Sequence, residues 1–209
     1  MNATTGPLKP VACWSCKGPL NATALFCHTC GAVQPPRLVD HFARLGLGRG
    51  FDLDDGRLER NYVDFQRRLH PDRFAKRSAL ERRHSAEQTA SLNEAYQVLK
   101  NPLSRALYLL SLEGVGLDGE GGRTIDDPEL LMESIETREA LAEAADTAAI
   151  EAIASANATA VARCESDLAG AFAAGELAGA KRLTTRLRYL VKLGQEVKSR
   201  RLAQAGLPP

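Results

Sequence analysis

FQRRLHPDRFAKR, residues 65–77, lies between two amphipathic runs, and its reading decides the fold. Proline fixes its own φ and disfavours helix at the residue before it. A helix arriving from the N-terminal side therefore stops at His70-Pro71-Asp72. In that helix Leu58, Tyr62, Phe65 and Leu69 recur at i, i+4, i+7 and i+11, which gathers them into one stripe. Asp54 or Asp55 is its N-cap candidate. Beyond the loop, residues 79–100 read ALERRHSAEQTASLNEAYQVLK, a second helix with Ala86, Ala90, Leu92, Ala95, Tyr96 and Leu99 as its apolar face. Asn101-Pro102 ends it. The expected unit is an antiparallel helical hairpin whose loop carries His-Pro-Asp. Arg60 and Arg67 point away from the apolar stripe, with Arg68 to one side. Arg73, Lys76 and Arg77 extend the positive charge into the loop. A solvated face explains most such arginines; beside a constrained loop they suit a docking surface for an acidic partner. No second histidine is spaced to give His70 a metal-binding or catalytic role.

Outward from this hairpin, Leu38, Phe42 and Leu45 share a helical face, giving a short first helix within 38–47. A further short helix spans 103–112, with Leu107, Leu110 and Leu112 free to pack back. Residues 114–124, GVGLDGEGGRT, hold five glycines and read as a linker. Asp127-Pro128 then starts a helix, proline taking the first position. Helices are expected over 129–143, 147–173 and 176–205, broken at Gly175. Leu177, Leu183, Leu187, Leu190, Val191 and Val197 form the expected buried set of the last. Short connections favour an antiparallel three-helix bundle with Cys164 as a small core residue. Leu131, Met132 and Ile135 share one side of its first helix. Periodicity alone makes them core, although Leu130 and Leu141 could fill that role instead.

Upstream, Cys13-Trp14-Ser15-Cys16 and Cys27-His28-Thr29-Cys30 form two CxxC pairs. Each pair can place two thiolates on one metal, and two pairs complete a tetrahedral four-cysteine site. Zinc is the expected ion; iron fits the same thiolates, and redox-active pairs are the third reading. Four protein ligands leave no open position, so the site is structural. Lys17-Gly18 and Gly31 follow the pairs and ease the backbone around the metal. Pro35-Pro36 marks the boundary.

The chain has 209 residues, 27 basic and 26 acidic, for a net charge of +1. That balance gives no electrostatic basis for binding nucleic acid or a membrane surface. No apolar run is long enough to cross a membrane. Cytoplasmic residence is expected, or the mitochondrial matrix for a processed eukaryotic chain. No phosphate-cradling glycine loop with Lys-Ser/Thr and no Ser/His/Asp set is present, so the chain is not expected to be an enzyme.

These stretches resemble one family. Helix, His-Pro-Asp loop and antiparallel helix look like a J-domain. FQRRLHPDRFA, SLNEAYQVLKNPLSRALYLLSLEG, DPELLMESIETREAL and RLRYLVKL together resemble the HscB-type J-protein co-chaperones of iron–sulfur cluster assembly, from about residue 38 to about 202. Some members carry an N-terminal tetracysteine knuckle; the short bacterial ones lack it. The resemblance implies an all-α, L-shaped pair of helical domains. It divides the chain into a knuckle region, 1–36, a J-domain, 37–113, a linker, 114–126, and a C-terminal domain, 127–209. It implies two partners, an HscA-like DnaK-type chaperone and an IscU-like scaffold protein. Chaperone contact would fall to His70, Pro71 and Asp72 with Arg67 and Arg68. Scaffold contact would fall to Leu131, Met132, Ile135, Glu136, Arg138 and Glu139, with Tyr189 on the last helix. An exposed patch of that kind is also compatible with a homodimer. The implied role is an adaptor that binds the scaffold, delivers it to the chaperone and stimulates the chaperone's ATPase. Two other readings stay open. One is a general J-protein gripping unfolded clients through the knuckle; the other is a zinc-ribbon nucleic-acid adaptor, for which residues 1–36 offer only Lys9 and Lys17.

Overall fold

The structure is a computed structural model that describes residues 10–116 and 128–205. It divides into two compact units, one running to Arg105 and one from Ala106. The expected Asp127 cap, and all of the expected linker beyond Gly116, lie outside the described residues.

The first unit opens with a two-stranded antiparallel ribbon, β1 (Val11–Ala12) and β2 (Pro19–Leu20), pairing Val11 with Leu20. A four-residue helix, α1 (His41–Arg44), is capped by Asp40, whose carboxylate accepts the Ala43 N–H at 2.7 Å. Phe42 and Leu45 are buried, but Leu38, expected on the same face, stands fully exposed before the helix begins. The helix cannot extend back to it because the side chain of Asp40 occupies the cap.

Helix α2 (Asp55–Leu69) starts at Asp54, the N-cap, which accepts from Arg57 N–H. Leu58 and Leu69 are buried and Tyr62 and Phe65 half-buried. Helix α3 (Ala79–Lys100) has the expected bounds. A capping box sets its start, with Ser78 and Glu81 satisfying each other's backbone N–H groups. Its buried face differs from the apolar pattern. Leu92, Ala95, Tyr96 and Leu99 are inside, Ala86 and Ala90 are exposed, and Ser85 and Gln88 take the buried places. The two polar residues are inside because each has a partner there: Ser85 donates to Leu69 O at 2.6 Å, and Gln88 to Gln34 O at 3.0 Å. Between the helices the Tyr62 and Tyr96 rings stack 3.9 Å apart, and Gln66 Nε2 donates to Asn93 Oδ1 at 2.7 Å.

Helix α4 (Pro102–Leu112) carries proline at its first position and spans the division between units. Ala106, Leu109 and Leu110 are its buried apolar residues; Leu107 and Leu112 are only half-buried.

The second unit is a bundle of α5 (Pro128–Glu143), α6 (Thr147–Ala174) and α7 (Leu177–Gln204). Asp146 caps α6, and Gly175 closes it at φ 71°, a left-handed conformation that glycine adopts without strain. One core cluster joins Leu141, Ala144, Ile150 and Val197. In α7 the buried residues are Ala180, Thr184, Leu187, Leu190 and Val197, whereas Leu177, Leu183 and Val191 are half-buried. The hydroxyl of Thr184 enters the core by donating to Ala180 O at 2.7 Å. Cys164 is buried, its Sγ 3.4 Å from Leu183 O. No helix among the described residues is long and apolar enough to cross a membrane.

Candidate functional site

The His-Pro-Asp turn is built by the end of α2. His70 leaves the helix at ψ 131°, the conformation proline demands of its predecessor. Pro71–Phe74 then form a 3-10 turn. Nδ1 of His70 accepts the Asp72 N–H at 3.3 Å. Asp72 Oδ2 lies 3.5 Å from the same nitrogen. Two anchors fix the turn from beneath: Phe74 is buried, and Ser85 of α3 holds the last carbonyl of α2. Ser85 escaped the sequence reading because serine in a helix usually faces water; only the α2–α3 packing gives its hydroxyl an acceptor. His70, Pro71 and Asp72 are exposed, as are Arg67, Arg73, Lys76 and Arg77. Arg68 is differently engaged, 3.5 Å from Asp64 and 5.0 Å over the Phe26 ring.

The four cysteines converge. All four Sγ atoms lie within 4.8 Å of one another. Cys13 and Cys30 are 3.8 Å apart, and Cys16 and Cys27 3.6 Å. Tetrahedral zinc with Zn–S of about 2.3 Å needs sulfurs about 3.8 Å apart, so the spacing fits a metal. The two loops repeat one hydrogen-bond scheme. Lys17 N–H returns to Cys13 O and Gly31 N–H to Cys27 O; Cys13 N–H bonds Gly18 O and Cys27 N–H bonds Ala32 O. Lys17 and Gly31 have φ of 63° and 73°, so the left-handed residue in the first loop is Lys17 and not Gly18.

The thiols are unequal. Burial raises the Cys13 pKa, but the N–H groups of Cys16 and Ser15, with the Gln34 and Cys27 side chains, bring it down to about 6. Cys27 is lowered chiefly by the Cys30 N–H. At Cys16 the Gly18 N–H pulls down, yet burial and the three neighbouring thiols push the group up to about 11. A pocket of N–H donors holding thiolates is what a cation requires of its ligands. His28 is exposed.

On α5, Leu130 and Leu141 are buried, while Leu131, Met132 and Ile135 are exposed, Met132 to 62%. Glu136 and Glu139 are exposed beside them. Arg138 is tied down, donating to Glu196 at 2.8 Å and to Ser134 Oγ at 2.7 Å. Tyr189 is half-buried on α7. The periodicity argument for a core role at 131, 132 and 135 is therefore overturned by the two leucines that take the inside.

Comparison with known proteins agrees with this anatomy. A family described as the HSCB C-terminal oligomerisation domain matches residues 126–198. A mouse protein named iron-sulfur cluster co-chaperone protein HscB is 33% identical over 94% of this chain and 86% of its own length. An Arabidopsis thaliana HscB homolog is 43% identical over 68% of this chain, which spans 55% of that protein. The crystal structure of human co-chaperone protein HscB aligns with a TM-score of 0.84 at 32% identity, covering 92% of this chain and 99% of the human one. An exposed His-Pro-Asp turn, a tetracysteine cluster and an apolar patch on the first C-terminal helix thus occur in a chain that belongs to the HscB family of iron–sulfur cluster co-chaperones.

Proposed function

We propose that this protein is an adaptor between an iron–sulfur scaffold protein and a specialised DnaK-type chaperone. It binds the scaffold through α5, presents it to the ATP-bound chaperone, and stimulates ATP hydrolysis through the J-domain. The observation that carries this is the exposure of Leu131, Met132 and Ile135 while Leu130 and Leu141 fill the core. A family member that leaves three large apolar side chains in water, rimmed by Glu136 and Glu139, has the composition of an interface centre.

On the J-domain, Arg67, Arg73, Lys76 and Arg77 form the basic face that meets the acidic chaperone surface. His70 and Asp72 act from a turn whose conformation is fixed before binding, which lowers the ordering cost of docking. The chaperone's equilibrium then shifts towards its hydrolysis-competent state, to the extent that the turn contacts that state better. Binding scaffold and chaperone on one chain raises their effective concentration. Cys13, Cys16, Cys27 and Cys30 hold a zinc ion, which supplies a cross-link and no chemistry, since all four positions are protein ligands.

The test is the steady-state ATPase rate of the cognate chaperone, with and without scaffold. His70→Gln is expected to abolish stimulation. Leu131→Ala/Met132→Ala/Ile135→Ala is expected to keep basal stimulation and lose the scaffold's synergy. Stimulation that needs His70 but ignores the scaffold would replace this reading with general client delivery.

A further inference from the structure

Gln34 is a glutamine with no exposed surface, which is costly unless its polar atoms are used. Its Nε2 donates to Ala32 O at 2.8 Å and to Cys13 Sγ at 3.4 Å. Its backbone carbonyl accepts Nε2 of Gln88 at 3.0 Å. Gln88, 3% exposed and in the middle of α3, accepts in turn from Arg44 at 3.4 Å, and Arg44 donates to Arg37 O at 2.8 Å. A run of buried hydrogen bonds therefore leads from the Cys13 sulfur through Gln34 into the helix pair that carries the His-Pro-Asp turn.

Two further contacts flank it. Trp14, inside the first CxxC, donates to Val33 O at 2.7 Å and packs edge-on against His84 of α3, with centroids 5.6 Å apart. Phe26, next to Cys27, lies under Arg68 at the end of α2. Among the described residues the knuckle's core is small: Cys13, Leu20 and Cys27 cluster with Val11 and Ala24 against them, and Ala32 and Val33 are buried as well. So few apolar residues cannot hold a fold without a cross-link.

We propose that the knuckle is a metal-dependent part of the J-domain, and that Gln34 is the positioning residue coupling the Cys13 thiolate to Gln88 in α3. This rests on the metal reading of the four cysteines. When the metal leaves, the knuckle loosens and withdraws its contacts from α3 and α2. Gln88 Nε2 loses a buried acceptor, His84 loses Trp14, and Arg68 loses the ring that orients it. By reciprocity, metal binding and the α3 contacts strengthen each other by one shared coupling free energy, so losing those contacts weakens metal binding by up to that amount.

The site also explains an oddity. Gln34 Oε1 is buried with no hydrogen-bond partner among the described residues. The end of Gln34 that is used is its amide nitrogen, aimed at the Cys13 sulfur and at Ala32 O. Leucine at 34 would remove that unsatisfied acceptor, so the variant is expected to fold.

The experiment uses the full chain. Zinc affinity is measured by competition with a chromophoric chelator for the native protein, Gln34→Leu and Gln88→Leu. Loss of a partner one step out from a ligand typically costs about 10–100-fold, expected for Gln34→Leu. Gln88→Leu touches no ligand atom and is expected to cost at least about 5-fold. Cobalt(II) at saturation gives a second readout: removing an N–H···S bond raises the thiolate donor level, so the charge-transfer band of Gln34→Leu moves to lower energy. Amide hydrogen exchange on the native protein, with and without chelator, is expected to speed up across residues 84–92 on metal removal. If both variants bind zinc like the native chain and α3 exchange ignores the metal, the coupling is overturned while the metal site stands. If the native chain binds no metal, both readings fall.

Discussion

A terminal nitrogen of Arg186 in α7 sits 2.7 Å from both carboxylate oxygens of Glu133 in α5. Arg138 and Glu196 make a second bond between the same helices at 2.8 Å. Glu133 and Arg138 bracket Ile135 along α5, so these pairs hold the helix that carries the apolar patch. Arg186 and Glu133 are 41% and 48% exposed, and water screens them. The coupling in a Glu133→Ala/Arg186→Ala double-mutant cycle is therefore expected below about 1 kcal/mol, and smaller in high salt. Its clearer sign would be faster local exchange of α5 amides at unchanged global stability. A coupling of several kcal/mol would mean that α5 has no adequate apolar anchorage.

Leu130 and Leu131 are neighbours with opposite environments. Leu130→Ala opens a cavity and is expected to cost about 2–5 kcal/mol in denaturant unfolding. Leu131→Ala, Met132→Ala and Ile135→Ala are each expected to stay within about 0.5 kcal/mol, as exposed substitutions do. Scaffold binding should show the reverse order of sensitivity. If Leu130→Ala were the milder change in stability, the assignment of faces on α5 would be wrong.

Burial pushes the Cys164 thiol up to about 11, with Arg186 opposing and Asp167 and Glu165 adding to the shift. At pH 8 it is almost wholly protonated and covered. An aromatic disulfide reagent is expected to titrate four thiols in the chelator-treated protein and the fifth only on unfolding. Five fast thiols in the folded chain would contradict the packing of α6 on α7.

His41 is held below the usual histidine range mainly by burial; Glu94 and Asp40 raise it and Arg44 lowers it. The folded protein thus favours the neutral ring, and the unfolded chain binds the proton more readily. This contribution is fully present above the unfolded value of about 6.5 and is lost as pH falls through it towards the lower folded value. His41→Asn is expected to flatten the urea midpoint between about pH 7 and 5. An unchanged pH profile would show that His41 titrates alike in both states.

The ends of α2, α3 and α6 were legible because capping is local, whereas the Asp40 cap that keeps Leu38 out of α1 was not read. Ser78 and Glu81 satisfy each other across three residues, Pro71 forces its predecessor out of helix, and Gly175 takes the left-handed turn that stops α6. The four cysteines were equally legible, since each CxxC spans one loop and two loops suffice for a metal. Helix phase was less so. Ala86 and Ala90 looked like the inner face of α3, yet Ser85 and Gln88 hold it, because their partners Leu69 and Gln34 lie 16 and 54 residues away.

The same distinction runs through both units. Elements, turns and candidate ligands follow from interactions within about four residues, and the order of residues suffices to specify them. Which side of an element meets water depends on the surfaces the fold brings to it. Only tertiary packing exposed Leu131, Met132 and Ile135, set Trp14 against His84, and joined Gln34 to Gln88. Burying a polar group or baring an apolar one changes sign in free energy with the partner it finds, and a linear pattern carries no record of that partner.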